Sequence, residues 1–420
     1  MLSPISRTAR RTPFLLAGLI LTVSAHAADW PQFLGPNRNG LSSETGLIQA
    51  WPAGGPPELW RTTIGIGMSA PSIADGRLVT LAQNKTDQFV VVCDAEKGGA
   101  LQRIKIAPAY SNGMGDGPRG TPAISDDVAY VFTGQGVLAA VDLKAGKLRW
   151  KIDTVRDLRG QVAEYGMACS PLLTDNAVVI TVGSSKGTVA AYDRTSGKRL
   201  WTTGNESAGY SSSALLKVGG KQQIVAFTGS SVLGLEPKSG ARLWRHPFKT
   251  NYECNIATPL AVDGKVFISA GENHGSALLS LAANGTTFDV TTVWSSLGPR
   301  STLRSEWQTP IQLDGFLYGF DNVGGAGPIS HLTCIESATG KRVWQQVRFG
   351  KGNLIAADGM LFLSTFKGDL VLLKANPRKF EELGRMQAVG QTRTTPVLAN
   401  GLLYLRDNRE VVCFDVRMKK

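Results

Sequence analysis

The chain has 420 residues, 45 basic against 33 acidic, for a formal net charge of +12. Its 42 % apolar content excludes a disordered chain, and no stretch after residue 27 is long and apolar enough to span a bilayer. The basic excess is mild; it suits acidic envelope polymers or anionic lipid surfaces, and no nucleic-acid module is recognisable.

Residues 1–27 read as a secretory signal. Arg7, Arg10 and Arg11 give a positive start, Phe14 to Val23 an apolar core too short to span, and Ala25-His26-Ala27 a small-residue cleavage site. Without those arginines the net charge falls from +12 to +9. Arg10-Arg11 invites a twin-arginine reading, but Thr12-Pro13-Phe14 fits that pattern poorly, so the general secretory route is preferred. No cysteine follows the cleavage site, which speaks against a lipid anchor. The expectation is an exported periplasmic or cell-envelope protein, and residues 28–420 are read as one domain.

Glu58-Leu59-Trp60-Arg61 reads as an orphan strand. Entry strands then recur at Ala70-Pro71, Thr121-Pro122, Ser170-Pro171, Ser213-Ala214, Thr258-Pro259, Thr309-Pro310, Asn353-Leu354 and Thr395-Pro396. Most run into a small polar turn such as Asp75-Gly76 or Asp263-Gly264. A second phrase closes the units: an acid, a glycine four residues on, and a tryptophan four beyond that. It reads Asp142…Gly146…Trp150, Asp193…Gly197…Trp201, Glu236…Gly240…Trp244 and Glu336…Gly340…Trp344. The acid is expected to accept backbone amides and start a turn, the glycine to take positive φ, and the tryptophan to wedge between units. Gln102 stands where the first unit should carry Trp, Trp294 follows a longer turn through Asn284-Gly285, and the seventh unit, around Lys374 to Leu383, has lost the phrase. Eight units of four antiparallel strands at this period predict an all-β, eight-bladed propeller. The chain ends at Val411–Asp415 with no Trp strand after it, so the Trp60 strand is expected to complete the last blade.

On these residues the chain resembles the quinoprotein-type (PQQ-like) repeat family. That family includes the quinone-dependent alcohol dehydrogenases and the propeller lipoprotein of the outer-membrane β-barrel assembly machine. The opening Trp30-Pro31-Gln32-Phe33-Leu34-Gly35-Pro36-Asn37-Arg38-Asn39-Gly40 and the run Pro108 to Arg119 resemble exported PQQ-like repeat proteins in particular. The dehydrogenase resemblance implies pyrroloquinoline quinone on a Trp floor with a calcium ion. No adjacent cysteine pair and no Cys-x-x-Cys-His haem motif is present, and no catalytic residue of that family carries over to a numbered position.

The remaining motifs read as structure. Gly183-Ser184-Ser185-Lys186-Gly187 has the spacing of a hydrolase nucleophile elbow but joins two strands, so it predicts a hairpin. Gly65-Ile66-Gly67 has no following helix. His246, His274 and His331 lie in different units, so no metal site is expected. The five cysteines do not make a disulfide framework: Cys93, Cys334 and Cys413 sit beside repeat acids in third strands, and Cys169 and Cys254 belong to non-adjacent units.

Any ligand is expected at the long glycine-rich inter-blade loops over the channel mouth. The residues placed there are Asn112, Asp116, Arg119, Glu164, Tyr165, Tyr210, Glu253, Asn255, Arg304, Trp307, Gln308, Asn353 and Arg393. Loop 110–119 is expected to cap the channel, with Arg119 paired to Asp116 or Glu164. The function expected is a non-catalytic envelope platform, without cofactor, that binds an envelope protein or polar ligand as a monomer. Two alternatives stand beside it: a quinone- and calcium-dependent dehydrogenase, and an enzyme acting on an envelope or extracellular polysaccharide through Glu164 and Glu253.

Overall fold

The computed structural model describes Met1, residues 28–325 and residues 327–418; the expected signal segment lies outside the described residues. Among them, 32 strands form eight four-stranded antiparallel sheets, seven of them in sequential strand order. Blades 1 to 7 span 72–108, 123–153, 172–203, 214–247, 260–297, 311–346 and 352–387. Blade 8 takes three strands from 397–415 and its outermost from Glu58–Thr63, in the order that closes the ring. The register runs Trp60↔Cys413 and Thr62↔Val411. Second strands are buried at nearly every position, whereas outer strands alternate or are exposed. The core therefore lies between the blades and around the axis.

The repeated phrase has a direct physical explanation. Each acid caps its own turn: Asp142 Oδ1 accepts from Lys144 and Ala145 N–H, and Asp193 Oδ1 from Thr195 and Ser196 N–H. Four of the tryptophans bond the turn of the next blade, whereas Trp244 donates to Gln223 of its own blade. Trp60 Nε1 donates to the Ala95 carbonyl, Trp150 to Arg194, Trp294 to Ser337 and Trp344 to Asn376. Gln102, in place of Trp, keeps the same bond, donating from Nε2 to the Leu143 carbonyl. The phrase glycine lies under the previous blade's indole. A Cβ at Gly240 would sit 2.3 Å from Trp201, and one at Gly340 2.6 Å from Trp294. A wholly buried Trp is worth at most ~4–6 kcal/mol, and several of these are only half-buried.

That geometry yields a paired prediction. Gly240 (φ +70) and Gly264 (φ +75) share a backbone conformation, but only Gly240 has a neighbour within 4 Å. Gly264→Ala is expected to cost about 1–2 kcal/mol, the left-handed penalty alone. Gly240→Ala adds overpacking of about 1–3 kcal/mol. Urea unfolding of both variants measures the difference; equal losses would remove the packing explanation.

Blade 7 lacks its tryptophan, and Gly384 occupies the register, opposite Leu372. Trp51, from the segment before the closing strand, fills the position. It packs against Phe362 with centroids 6.0 Å apart, where a Cβ on Gly384 would lie 2.3 Å from the indole.

The segment 29–48 crosses the ring on the turn face. Trp30 exchanges two 2.9 Å backbone bonds with Ile73 of blade 1. Arg38 donates to the carbonyls of Ser170 and Pro171 in blade 3 and Ser213 in blade 4. Gly40 and Ser42 bond Ala356 of blade 7, and the Glu44 carboxylate accepts Asn400 and Gly401 N–H in blade 8. These residues close the channel from that side.

The remaining motifs fall into the framework. Ser184 donates to the Leu158 carbonyl inside the hairpin that joins 177–181 to 189–193. All five cysteines are buried and free. Burial pushes their thiols up, Cys93 to about 11 and Cys254 to about 12. His274 packs on Phe248 at 4.4 Å, and burial lowers its basicity.

Candidate functional site

In a four-stranded meander the first and third turns share one face, while the second turn and the inter-blade loops share the other. The inter-blade loops form two concavities on that second face. The first is a central cavity of about 190 Å³, whose lining takes residues from all eight blades. Phe33, from the crossing segment, also lines it, and the walls carry Met68, Met114, Ile256 and Trp307. Arg119, Tyr165, Tyr210, Asn353 and Arg393 line it as well.

Arg393 lies 5.1 Å from the Trp307 ring centroid and 5.3 Å from that of Phe366. Its Nη1 donates to the Met114 carbonyl across the ring. Arg119 stacks over Tyr110 at 5.2 Å and donates to the carbonyls of Gly115 and Gly117. Burial lowers both guanidinium pKa values. Lys351 sits 4.4 Å from the Trp307 ring and 2.6 Å from the Glu306 carboxylate. Burial raises Glu306 even against that pairing.

The second concavity, about 560 Å³, lies between the loops of blades 3 and 4. Glu164 and Glu253 line it together, as do Glu206 and Tyr210. Tyr252 stands on its rim, 69 % exposed at φ +58. Glu206 is committed to structure: it accepts from the hydroxyls of Thr228, Ser230 and Ser231 and from Arg245 Nε. Burial opposes its charge, but those donors outweigh it and hold the carboxyl at about 2.

A carboxyl depressed in the fold contributes stability that is present above its unfolded pKa near 4.3 and lost as pH falls toward 2. Glu206→Gln is therefore expected to cost about 2–3 kcal/mol at pH 7, with the gap to wild type closing below pH ~4. Thermal melts across pH 7 to 3 test this; a gap independent of pH would refute it.

The other expected mouth residues are set into the walls. Asn255 is fully buried and donates to the Thr228 and Phe248 carbonyls. Arg304 pairs with buried Asp321 at 2.6 Å, and Gln308 bonds Ser305 Oγ and the Phe320 carbonyl. Near the axis a buried polar group needs a partner, and the closest ones are blade carbonyls. Loop 110–119 does lie over the cavity: Asn112 Nδ2 donates to the Glu164 carbonyl at one end, and the Met114 carbonyl takes Arg393 at the other. The expected Arg119 pairing must be corrected. Asp116 turns back onto Ser111 Oγ and Asn112 N–H, and the glycine carbonyls take the guanidinium instead. Phe33, Met68, Met114 and Ile256 were not expected at the site; apolar residues in irregular loops carry no periodic signal.

A family model described as outer membrane protein assembly factor BamB matches residues 86–346, more than half of the chain. The chain belongs to this BamB family of PQQ-type propellers. The BamB structure from Moraxella catarrhalis superposes with TM-score 0.61 at 15 % identity, covering 86 % of this chain and 99 % of that one. The quinohemoprotein alcohol dehydrogenase structure from Comamonas testosteroni gives TM-score 0.68 at 14 % identity, covering 93 % and 81 %. In sequence, quinohemoprotein alcohol dehydrogenase ADH-IIG of Pseudomonas putida is 21 % identical over 314 residues, 67 % of this chain and 41 % of that protein. The chain spans less than half the length of the curated quinone dehydrogenases it matches. The dehydrogenase relatives raise the question of a calcium–quinone pair in the cavity. Calcium takes six to eight hard oxygen ligands, carboxylates foremost. The cavity lining has two guanidiniums and no carboxylate, so its donor set does not fit that ion.

Proposed function

We propose that this BamB-family protein is a non-catalytic envelope propeller whose loop-rich face is a platform for an extended, basic segment of an envelope protein. The observation that carries this reading is the cleft between the loops of blades 3 and 4. It is open, about 560 Å³ in volume, and bears Glu164 and Glu253 beside an exposed Tyr252. The exposed acids Glu164 and Glu253 outnumber the one lining cation, Arg159, and an exposed aromatic beside an acidic excess suits an extended basic partner. The family description as an assembly factor supports a protein partner. No helix among the described residues is long and apolar enough to cross a membrane.

A photoreactive residue at Tyr252 is expected to join a partner in the envelope fraction, and Glu164→Gln with Glu253→Gln to suppress the adduct. The same residue at Lys238, on the opposite face, should give none. Equal adducts at both positions would overturn the platform. Dye reduction by the purified protein with quinone and calcium would overturn the non-catalytic reading.

A further inference from the structure

Four arginines surround the central cavity, and none has a carboxylate within ion-pair distance among the described residues. Arg119 and Arg393 line it. Arg38 is buried behind the wall, bonded to the carbonyl of Ser170, which itself lines the cavity. Arg406 is fully buried behind the opposite wall, where it bonds the Ser69 and Leu81 carbonyls and Thr80 Oγ1. Arg38 Nε and Arg406 Nε and Nη2 have no hydrogen-bond partner. The nearest acids are occupied: Asp116 by Ser111 Oγ and Asn112 N–H, Glu306 by Lys351, and Asp407 by the N–H groups of Gly390, Arg409 and Glu410. Uncompensated cations in a low-dielectric wall are costly unless a counter-charge arrives.

The lining also carries the apolar and aromatic side chains Phe33, Met68, Met114, Ile256 and Trp307, beside neutral polar groups such as Thr121, Ser212 and Asn353. At about 190 Å³ the space equals on the order of six water molecules at ~30 Å³ each. Loop 110–119 narrows the entrance, which disfavours a chain passing through. We infer that the central cavity is a binding site for a small organic monocarboxylate with an aromatic or branched apolar body. The carboxylate would meet Arg393 and Arg119, and the body would lie against Trp307 and the methionines. The site meets the cleft of blades 3 and 4 at Tyr210, but its arginines lie outside that cleft, so it stands whether or not the cleft binds a partner.

The test uses the purified full-length mature protein and calorimetric titration. The probe is 3-phenylpropionate, beside its neutral amide, inorganic phosphate, and a short peptide ending in phenylalanine with a free or an amidated terminus. Binding of the acid below about 1 mM is expected, with the amide at least about tenfold weaker. Phosphate, lacking the body, should bind more weakly than the acid. Arg393→Gln and Arg119→Gln should each cost about tenfold or more. If only the free-terminus peptide binds, the carboxylate belongs to a chain end, and recognition by the arginines stands. If the acid and the free-terminus peptide both fail, or acid and amide bind equally, the inference falls. It falls equally if pyrroloquinoline quinone, a tricarboxylate, binds more tightly than the monocarboxylate. The acid–amide comparison needs no variant and holds even if an arginine substitution impairs folding.

Discussion

A chain lacking residues 1–63 is expected to lose cooperative folding altogether. Those residues supply the outer strand of blade 8, with its pairing from Glu58 to Thr63 along Glu410–Phe414. They also supply Trp60, 9 % exposed, packed on Tyr404 at 6.0 Å and bonded to blade 1. Burying that indole alone is worth up to ~4–6 kcal/mol. Typical total stabilities are about 5–15 kcal/mol, and the lost strand also leaves an open edge where the ring should close. The loss is therefore comparable to the whole. Near-UV dichroism and a thermal melt read it directly. A circular permutant that starts at Ile64 and carries residues 28–63 after the present C-terminus provides the control. The linker joins the C-terminus to residue 28; Arg417 pairs with Leu47 beside blade 8, and Asp29 lies at the Asp75 turn of the adjoining blade 1, so it has about one blade width to span. The permutant should melt near wild type. A truncated chain with an unchanged melting point would show that the closing strand contributes little.

The blades were legible because their information is local and repeated. Acid, glycine and tryptophan recur at fixed spacing since one turn must cap itself, take positive φ and receive the indole of the previous blade. Even the degenerate copies follow that logic: Gln102 keeps the indole's hydrogen bond. The exception is blade 7, whose wedge is Trp51, more than 300 residues away in sequence from the Gly384 it covers. No spacing rule could assign that tryptophan, because its partner is fixed only by the crossing of the N-terminal segment.

The site was legible only in part, for a similar reason. Positions at or just before the entry strands, such as Arg119, Asn353 and Arg393, come to the axis because the segments leading into each blade line it. Asn255, Arg304 and Gln308 occupy comparable positions in sequence, yet one or two residues' difference turns them onto carbonyls and Asp321 instead. The loops 110–119 and 159–166 depend on each other through Asn112 and the Glu164 carbonyl. Such contacts join separate blades and leave no periodic trace.

The least legible residue of all, Arg38, carries the second large prediction. It looks like a turn residue in a polar run, and it does take φ +52, yet it is 3 % exposed. Its guanidinium is the common donor for three carbonyls, at Ser170, Pro171 and Ser213. Two effects compete in Arg38→Met. Removing an unpaired buried cation relieves a desolvation cost, which pulls that pKa down to about 10. Stranding three dry carbonyls costs about 1–3 kcal/mol each, partly recovered where water enters. The second is larger, and the net loss expected is about 3–5 kcal/mol. It should be concentrated in the crossing segment. Hydrogen exchange at Gly40 and Ser42, whose backbone is tied to Leu34 and Ala356, should accelerate strongly. Second-strand amides of blades 3 and 4 should keep their protection, because their ladders do not involve Arg38. Arg38→Lys should recover little, since a single ammonium cannot span three acceptors on two blades. Unchanged exchange at Gly40 in Arg38→Met would mean that Trp30 and Glu44 hold the segment without it. A uniform loss of protection across all blades would instead make the crossing segment part of the ring's cooperative core.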